Sequence, residues 1–150
     1  MTTKTLRNIL LNAGKINAYF EGRTPTHLWR ALNTKNGLAL FDLALEDLVR
    51  PDSSVRKADV RVLNGLVQLD YAPRGISTFD RSAIFKGKNW SYYLIPKGTE
   101  LPYGLVVVQD HFNPMYGATH YTIAPMWEMP LPQFQLLLNQ LVCAVIKESA

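Results

Sequence analysis

The chain carries a single cysteine, Cys143, in 150 residues. That excludes an intramolecular disulfide framework and fits a reducing compartment. No apolar run is long enough to cross a bilayer, so a membrane partner is not expected. The amino terminus shows no signal-peptide pattern, because Asn8 and Asn12 interrupt the apolar stretch around Lys4 and Arg7. There is no glycine-rich phosphate loop ending in Lys-Ser or Lys-Thr, and no dinucleotide fingerprint after a strand. His27, His111 and His120 lack the cysteine or carboxylate spacing of a zinc site, so no metal is expected. A Gly-x-Ser-x-Gly elbow is missing, which leaves a hydrolase triad on Ser77 without local support. No two carboxylates pair at a separation suited to glycoside hydrolysis. Most standard catalytic classes are thereby excluded.

What is present reads as one domain over residues 1–150, long enough to bury a core without disulfides or metal. Apolar residues make up 47% and charged residues 19%, the balance of an ordinary soluble globule. The net charge of +4 is modest and acidic residues are interspersed, as at Glu46-Asp47. This favours anionic ligands weakly and gives no nucleic-acid footprint.

Leu6, Ile9, Leu10 and Ala13 recur at helical spacing and predict a short amphipathic helix over 4–13. A first strand is expected over Thr26 to Leu32, with Leu28, Arg30 and Leu32 on one face. An arginine among leucines requires a partner, since an unpaired buried cation is very costly. Leu38, Phe41, Leu45 and Leu48 predict a helix stopped by Pro51, followed by an exposed polar stretch over 52–57. Asn64-Gly65 predicts a hairpin. Strands are expected over 91–95, 105–109 and 119–123, with a loop over 110–117. The last helix begins near Pro132 and presents Phe134, Leu137, Leu138, Leu141, Val142 and Val145 to the core. Trp29, Trp90 and Trp127 read as packing residues.

Tyr71 to Arg81 fits neither a plain strand nor a plain helix, because Pro73 and Gly75 break the pattern. Ser77 and Thr78 then set two hydroxyls side by side. They serve either as the N-cap of a short helix or as a ligand cradle flanked by Arg74, Arg81, Tyr71 and Phe79.

Three segments taken in order carry a family likeness. They are Leu28-Trp29-Arg30-Ala31, then Gly75-Ile76-Ser77-Thr78-Phe79-Asp80-Arg81, then Tyr93 to Pro102 leading to Val108-Gln109-Asp110 and Ala118-Thr119-His120-Tyr121-Thr122-Ile123-Ala124-Pro125. The series resembles the type VI secretion effector toxins of the Tse-two type, over roughly residues 26–145. The resemblance implies an α+β, ADP-ribosyltransferase-like fold: a split, mostly antiparallel sheet flanked by helices around an NAD-binding cleft. It also implies a toxin acting in the cytoplasm of a target cell after type VI delivery, with a cognate immunity protein and an ADP-ribose acceptor that is macromolecular or water. Arg30 matches the first-strand arginine that holds NAD, Ser77 with Thr78 the hydroxyl motif, and His120 the histidine of the Thr-His-Tyr segment. The usual transferase glutamate is not visible, and the comparable strand ends in Gln109-Asp110.

The chemistry tolerates that departure. Nicotinamide leaves as a neutral group from a cationic pyridinium, so the site must position ribose, anchor pyrophosphate and stabilise an oxocarbenium-like transition state. Arg30 supplies a charge-assisted phosphate contact worth about 1.5–3 kcal/mol. Ser77 and Thr78 hold ribose or carboxamide, Tyr71, Phe79 or Tyr121 stacks on the ring, and His120 or Asp110 accepts the proton. The three residues Arg30, Ser77 and His120 are expected to meet in one hollow. A non-catalytic interaction module on the same fold and a nucleic-acid-binding domain are the alternatives.

Overall fold

The computed structural model describes residues 4–36 and 39–148. Thr5 caps helix α1 (Leu6–Asn12) by accepting the Asn8 N–H on its hydroxyl, and α1 buries Leu6 and Leu10. Strands β1 (Tyr19–Phe20) and β2 (Leu28–Asn33) follow, then the short β3 (Leu48–Val49), β4 (Val55–Arg56), β5 (Val62–Leu63) and β6 (Leu66–Val67). The longer strands come next: β7 (Ile76–Phe79), β8 (Trp90–Ile95), β9 (Leu105–Asn113) and β10 (Ala118–Pro125). The order ends with β11 (Met129–Pro130), helix α2 (Leu131–Leu141) and β12 (Ile146–Lys147). The fold is α+β, as expected. Among the described residues no helix is long and apolar enough to cross a membrane.

A seven-stranded antiparallel sheet runs in the order β1-β9-β10-β7-β2-β8-β12. β9 and β10, second and third in that order, carry apolar runs buried on both faces. One face carries Leu28, Ile76, Val107, Tyr121 and Ile123 under Phe134, Leu138 and Leu141 of α2. The other carries Val106, Val108 and Ala124 under Leu6 and Leu10 of α1. Gly75 lies where β7 meets β10, and a Cβ there would sit 2.0 Å from the Ile123 carbonyl oxygen. Only glycine lets the two backbones approach so closely.

Pairing is uneven. β2 pairs with β8 over six residues, from Leu28↔Ile95 to Asn33↔Trp90, whereas β2 and β7 meet at Trp29↔Phe79 alone among the described residues. The sheet therefore splits between β2 and β7.

Several expectations are corrected. No helix forms over the described residues 39–49, and Leu38 lies outside them. Acidic side chains take the backbone donors instead. Asp42 accepts the Ala39 N–H at 2.9 Å, Asp59 the Ala44 N–H at 2.7 Å and Asp47 the Ala58 N–H at 2.8 Å. Phe41 alone of the helical stripe is fully buried, while Leu45 and Leu48 are exposed. Ser77 and Thr78 cap no helix, since they lie within β7. Residues 110–113 belong to β9 rather than to a loop, and β10 runs through Pro125. Val142 is exposed because α2 tightens into a 3-10 turn at Val142–Ala144, which rotates it off the apolar stripe. The Asn64-Gly65 hairpin forms as expected, with φ of 53° and 76° at its two central residues.

Candidate active site

Strand alternation sorts the site residues onto two faces. Arg30 and Thr78 stand two positions from Leu28 and Ile76, on the α2 face. Ser77 and Phe79 alternate with these and pair with Thr122 and His120, so all four lie on the α1 face. Asp110, two positions after Val108 in β9, joins them.

Arg30 is 8% exposed. Its Nε donates to the Leu40 carbonyl at 3.2 Å and its Nη1 to the Ser77 carbonyl at 3.1 Å. The partner that a buried arginine requires is thus the backbone on both sides of the split. Burial pulls its pKa below the ordinary value; the Asp59 carboxylate opposes that shift and the Arg56 guanidinium adds to it. Among the described residues, two of the five guanidinium donors are committed.

At the split lies a pocket of about 240 Å³. Arg30, Arg56, Lys57 and Asp59 supply its charged groups; Ser77, Phe79, Phe85 and Trp90 line it as well. Phe85 stacks on Trp90, with centroids 4.5 Å apart, and meets Phe79 edge-on at 6.0 Å. The lining thus combines an aromatic cluster with three cations, of which Arg56 is paired with Asp59 at 3.8 Å and Lys57 with Asp47 at 3.7 Å.

His120 does not line this pocket, contrary to the expected three-residue hollow. It stands behind Phe79, ring centroids 5.0 Å apart, because β10 lies one strand further from the split. Its Nδ1 is 2.6 Å from Asp110 Oδ2, and the Thr122 hydroxyl donates to the same oxygen. A carboxylate so placed accepts a hydrogen bond from Nδ1–H, and the tautomer of neutral imidazole with its proton on Nδ1 has Nε2 as the acceptor. His111 lies parallel to His120, with centroids 5.6 Å apart and planes at 21°.

Three expected cofactor contacts fall elsewhere. Thr78 is fully buried and donates its hydroxyl to the Tyr121 carbonyl at 3.0 Å. Tyr121 turns into the α2-side core, where burial, with the Asp80 charge second, raises its pKa. Both belong to packing, since strand parity points them into the core. Tyr71 lies beside a second pocket with Asp110 and His111, away from the first. Sequence reasoning missed Phe85 and Thr122, and read Trp90 as packing. Of the pocket's cations, Arg30 was expected, whereas Arg56 and Lys57 were read only as part of an exposed polar stretch.

A family model described as Tse2 ADP-ribosyltransferase toxin matches residues 8–150. The chain belongs to this family. Toxin Tse2 of Pseudomonas aeruginosa is 44% identical over 57 residues, a stretch that makes up 37% of this chain and 35% of that protein. The match thus spans about a third of that curated relative's length. Within this family member, β9 and β10 contain no glutamate, and Asp110 and His120 are their hydrogen-bonded polar pair.

Proposed function

We propose that the protein is an intracellular toxin that cleaves NAD at the bond between nicotinamide and ribose, passing ADP-ribose to a macromolecular acceptor or to water. One observation carries this reading: the pocket at the split is lined by Arg30, Arg56 and Lys57 together with the aromatic rings of Phe79, Phe85 and Trp90. A pyrophosphate matches Arg30, Arg56 and Lys57, through charge-assisted bonds worth about 1.5–3 kcal/mol each before desolvation. The nicotinamide and its ribose match Phe79, Phe85 and Trp90, with the Ser77 hydroxyl in reach of the ribose. Sites that enclose a whole cofactor measure roughly 300–1,000 Å³. The pocket of about 240 Å³ accordingly takes the nicotinamide riboside, and the adenosine half extends past the cations on the α2 face.

The acceptor X–H attacks the ribose carbon as the carbon–nitrogen bond breaks. The electron pair leaves on neutral nicotinamide, and the acceptor proton passes to Nε2 of His120. Asp110 orients that imidazole and balances its charge after transfer, and Thr122 holds Asp110 in place. Delivery by a type VI system, action in the target-cell cytoplasm and a neutralising immunity protein complete the proposal.

Purified protein incubated with NAD, with and without bacterial lysate, tests it by nicotinamide release. A flat trace from folded protein in both cases rejects catalysis. NAD binding with no release favours the second reading, a binding module, which the lack of glutamate on β9 and β10 supports.

A further inference from the structure

On the α1 face, a second pocket of about 500 Å³ is lined by Lys15, Asn17, Tyr71, Gln109, Asp110 and His111 among others. It is distinct from the first. The first pocket's cations come from the α2 face, and the two pockets share no lining residue. His120 lines neither pocket, but it contacts Phe79 of the first and Asp110 and His111 of the second. A base so placed can serve a nucleophile that enters from the second pocket while the electrophile occupies the first.

The lining indicates what enters. Tyr71 offers a ring that is 60% exposed, and the Lys15 ammonium lies over one face, 5.5 Å from the centroid. An exposed ring with a cation over one face matches an aromatic base bearing a phosphate, the base meeting the ring where the cation does not cover it. Asn17 and Gln109 add amide donors and acceptors of the kind that read base edges. Asp110 is the acidic residue of the lining, and its Oδ2 already receives bonds from His120 and Thr122. A cationic protein side chain would find Lys15 repelling it and the carboxylate engaged.

We infer that this pocket is the acceptor site and that the acceptor is a nucleotide, a nucleobase carrying a phosphate. The inference rests on the NAD-cleaving reading of the first pocket. In the transfer step a base nitrogen or ribose hydroxyl of the bound nucleotide loses its proton to His120 and forms the new bond to the ribose carbon of NAD; nicotinamide departs neutral. Atoms and charge balance, with one proton released overall.

The test measures binding of the four ribonucleoside monophosphates, and of a short single-stranded RNA and DNA, without NAD, to wild type, Lys15→Ala and Tyr71→Ala. Both substitutions are at exposed positions, and a thermal melt checks that each variant is folded. The expected result is binding by wild type that weakens about tenfold or more in each variant. A preference for the oligonucleotide identifies nucleic acid as the source, and equal affinity identifies the free nucleotide. No binding by wild type, or equal binding by all three proteins, overturns the inference. Displacement of the nucleotide by NAD also overturns it, since the pocket would then hold half of the dinucleotide. NAD binding and nicotinamide release are followed in parallel. Loss of those signals with nucleotide binding intact rejects the NAD reading and leaves a nucleotide site, whereas the reverse removes the acceptor site alone.

Discussion

Nη1 of Arg30 donates to the Ser77 carbonyl at 3.1 Å across the gap where β2 and β7 part. The bond ties together the two halves of a sheet that otherwise meet there at a single residue pair, so Arg30 has a structural task besides any contact with substrate. Arg30→Ala leaves two carbonyls without their donor and is expected to cost about 1–3 kcal/mol. At about 2–4 °C per kcal/mol for a chain of this size, the melting temperature falls by several degrees. Arg30→Lys keeps the charge but not the fork, and should recover only part of the stability and of NAD binding. Thermal denaturation and NAD titration of both variants check this; an unchanged melting temperature in Arg30→Ala would show that the bridge is idle.

Ser77 and Thr78 are adjacent, and their faces differ. Thr78→Val removes a buried hydroxyl from the Tyr121 carbonyl and should lower stability by about 1 kcal/mol while nicotinamide release per folded molecule stays at the wild-type level. Ser77→Ala should do the opposite, lowering release and leaving the melt almost unmoved. Equal loss of release in the two variants would contradict the assignment of faces.

The aromatic cluster gives a prediction of binding. Trp90→Ala and Phe85→Ala each remove one ring of the stacked pair and should weaken NAD binding by about tenfold, from stacking worth roughly 1–3 kcal/mol. Quenching of tryptophan fluorescence by NAD should also shrink in Trp90→Ala. Quenching equal to wild type would place the ligand elsewhere.

The β3–β4 segment that carries Arg56 and Lys57 holds two exposed carboxylates in backbone contacts. Asp47 is held below its ordinary value of 3.8 chiefly by the Ala58 N–H, and Asp52 chiefly by the Ser54 hydroxyl. Folded values below the unfolded one mean stability that is present above pH 3.8 and is lost as pH falls through the depressed values. The Ser54 and Ala58 amide resonances should therefore move together toward disordered positions in acid, ahead of amides in β10. Resonances that stay fixed until global unfolding would show that these bonds do not hold the segment.

What was legible in the sequence follows from the range of the forces involved. Alternation along β2 and the Asn64-Gly65 turn are local signals, and both elements formed where expected. The Phe41 segment misled because its apolar spacing is helical, while the acids that capture its backbone include Asp59, fifteen residues beyond Ala44. Arg30 and Ser77 stood out as residues, yet the bond between them spans 47 positions and no local pattern encodes it. Thr78 could not be told from Ser77 until pairing with Tyr121 and Thr122 fixed which face each occupied. Family likeness supplied the fold, whereas the aromatic cluster came from three strand and loop residues with no shared motif.

The Asp110–His120 contact yields the sharpest test of mechanism. If the carboxylate accepts a hydrogen bond from Nδ1–H, the neutral imidazole carries its lone pair on Nε2, and nitrogen NMR of labelled histidine should show that tautomer in wild type. Asp110→Asn removes the charge that favours it, so the tautomer population should shift while β10 stays paired. Transfer of ADP-ribose to an acceptor should fall by roughly 10²–10⁴-fold, the span of general acid–base contributions. NAD affinity should change little, because Asp110 does not line the first pocket. A merely structural Asp110 would lower stability without moving the tautomer, and full transfer activity in Asp110→Asn with a shifted tautomer would remove His120 from the proton path.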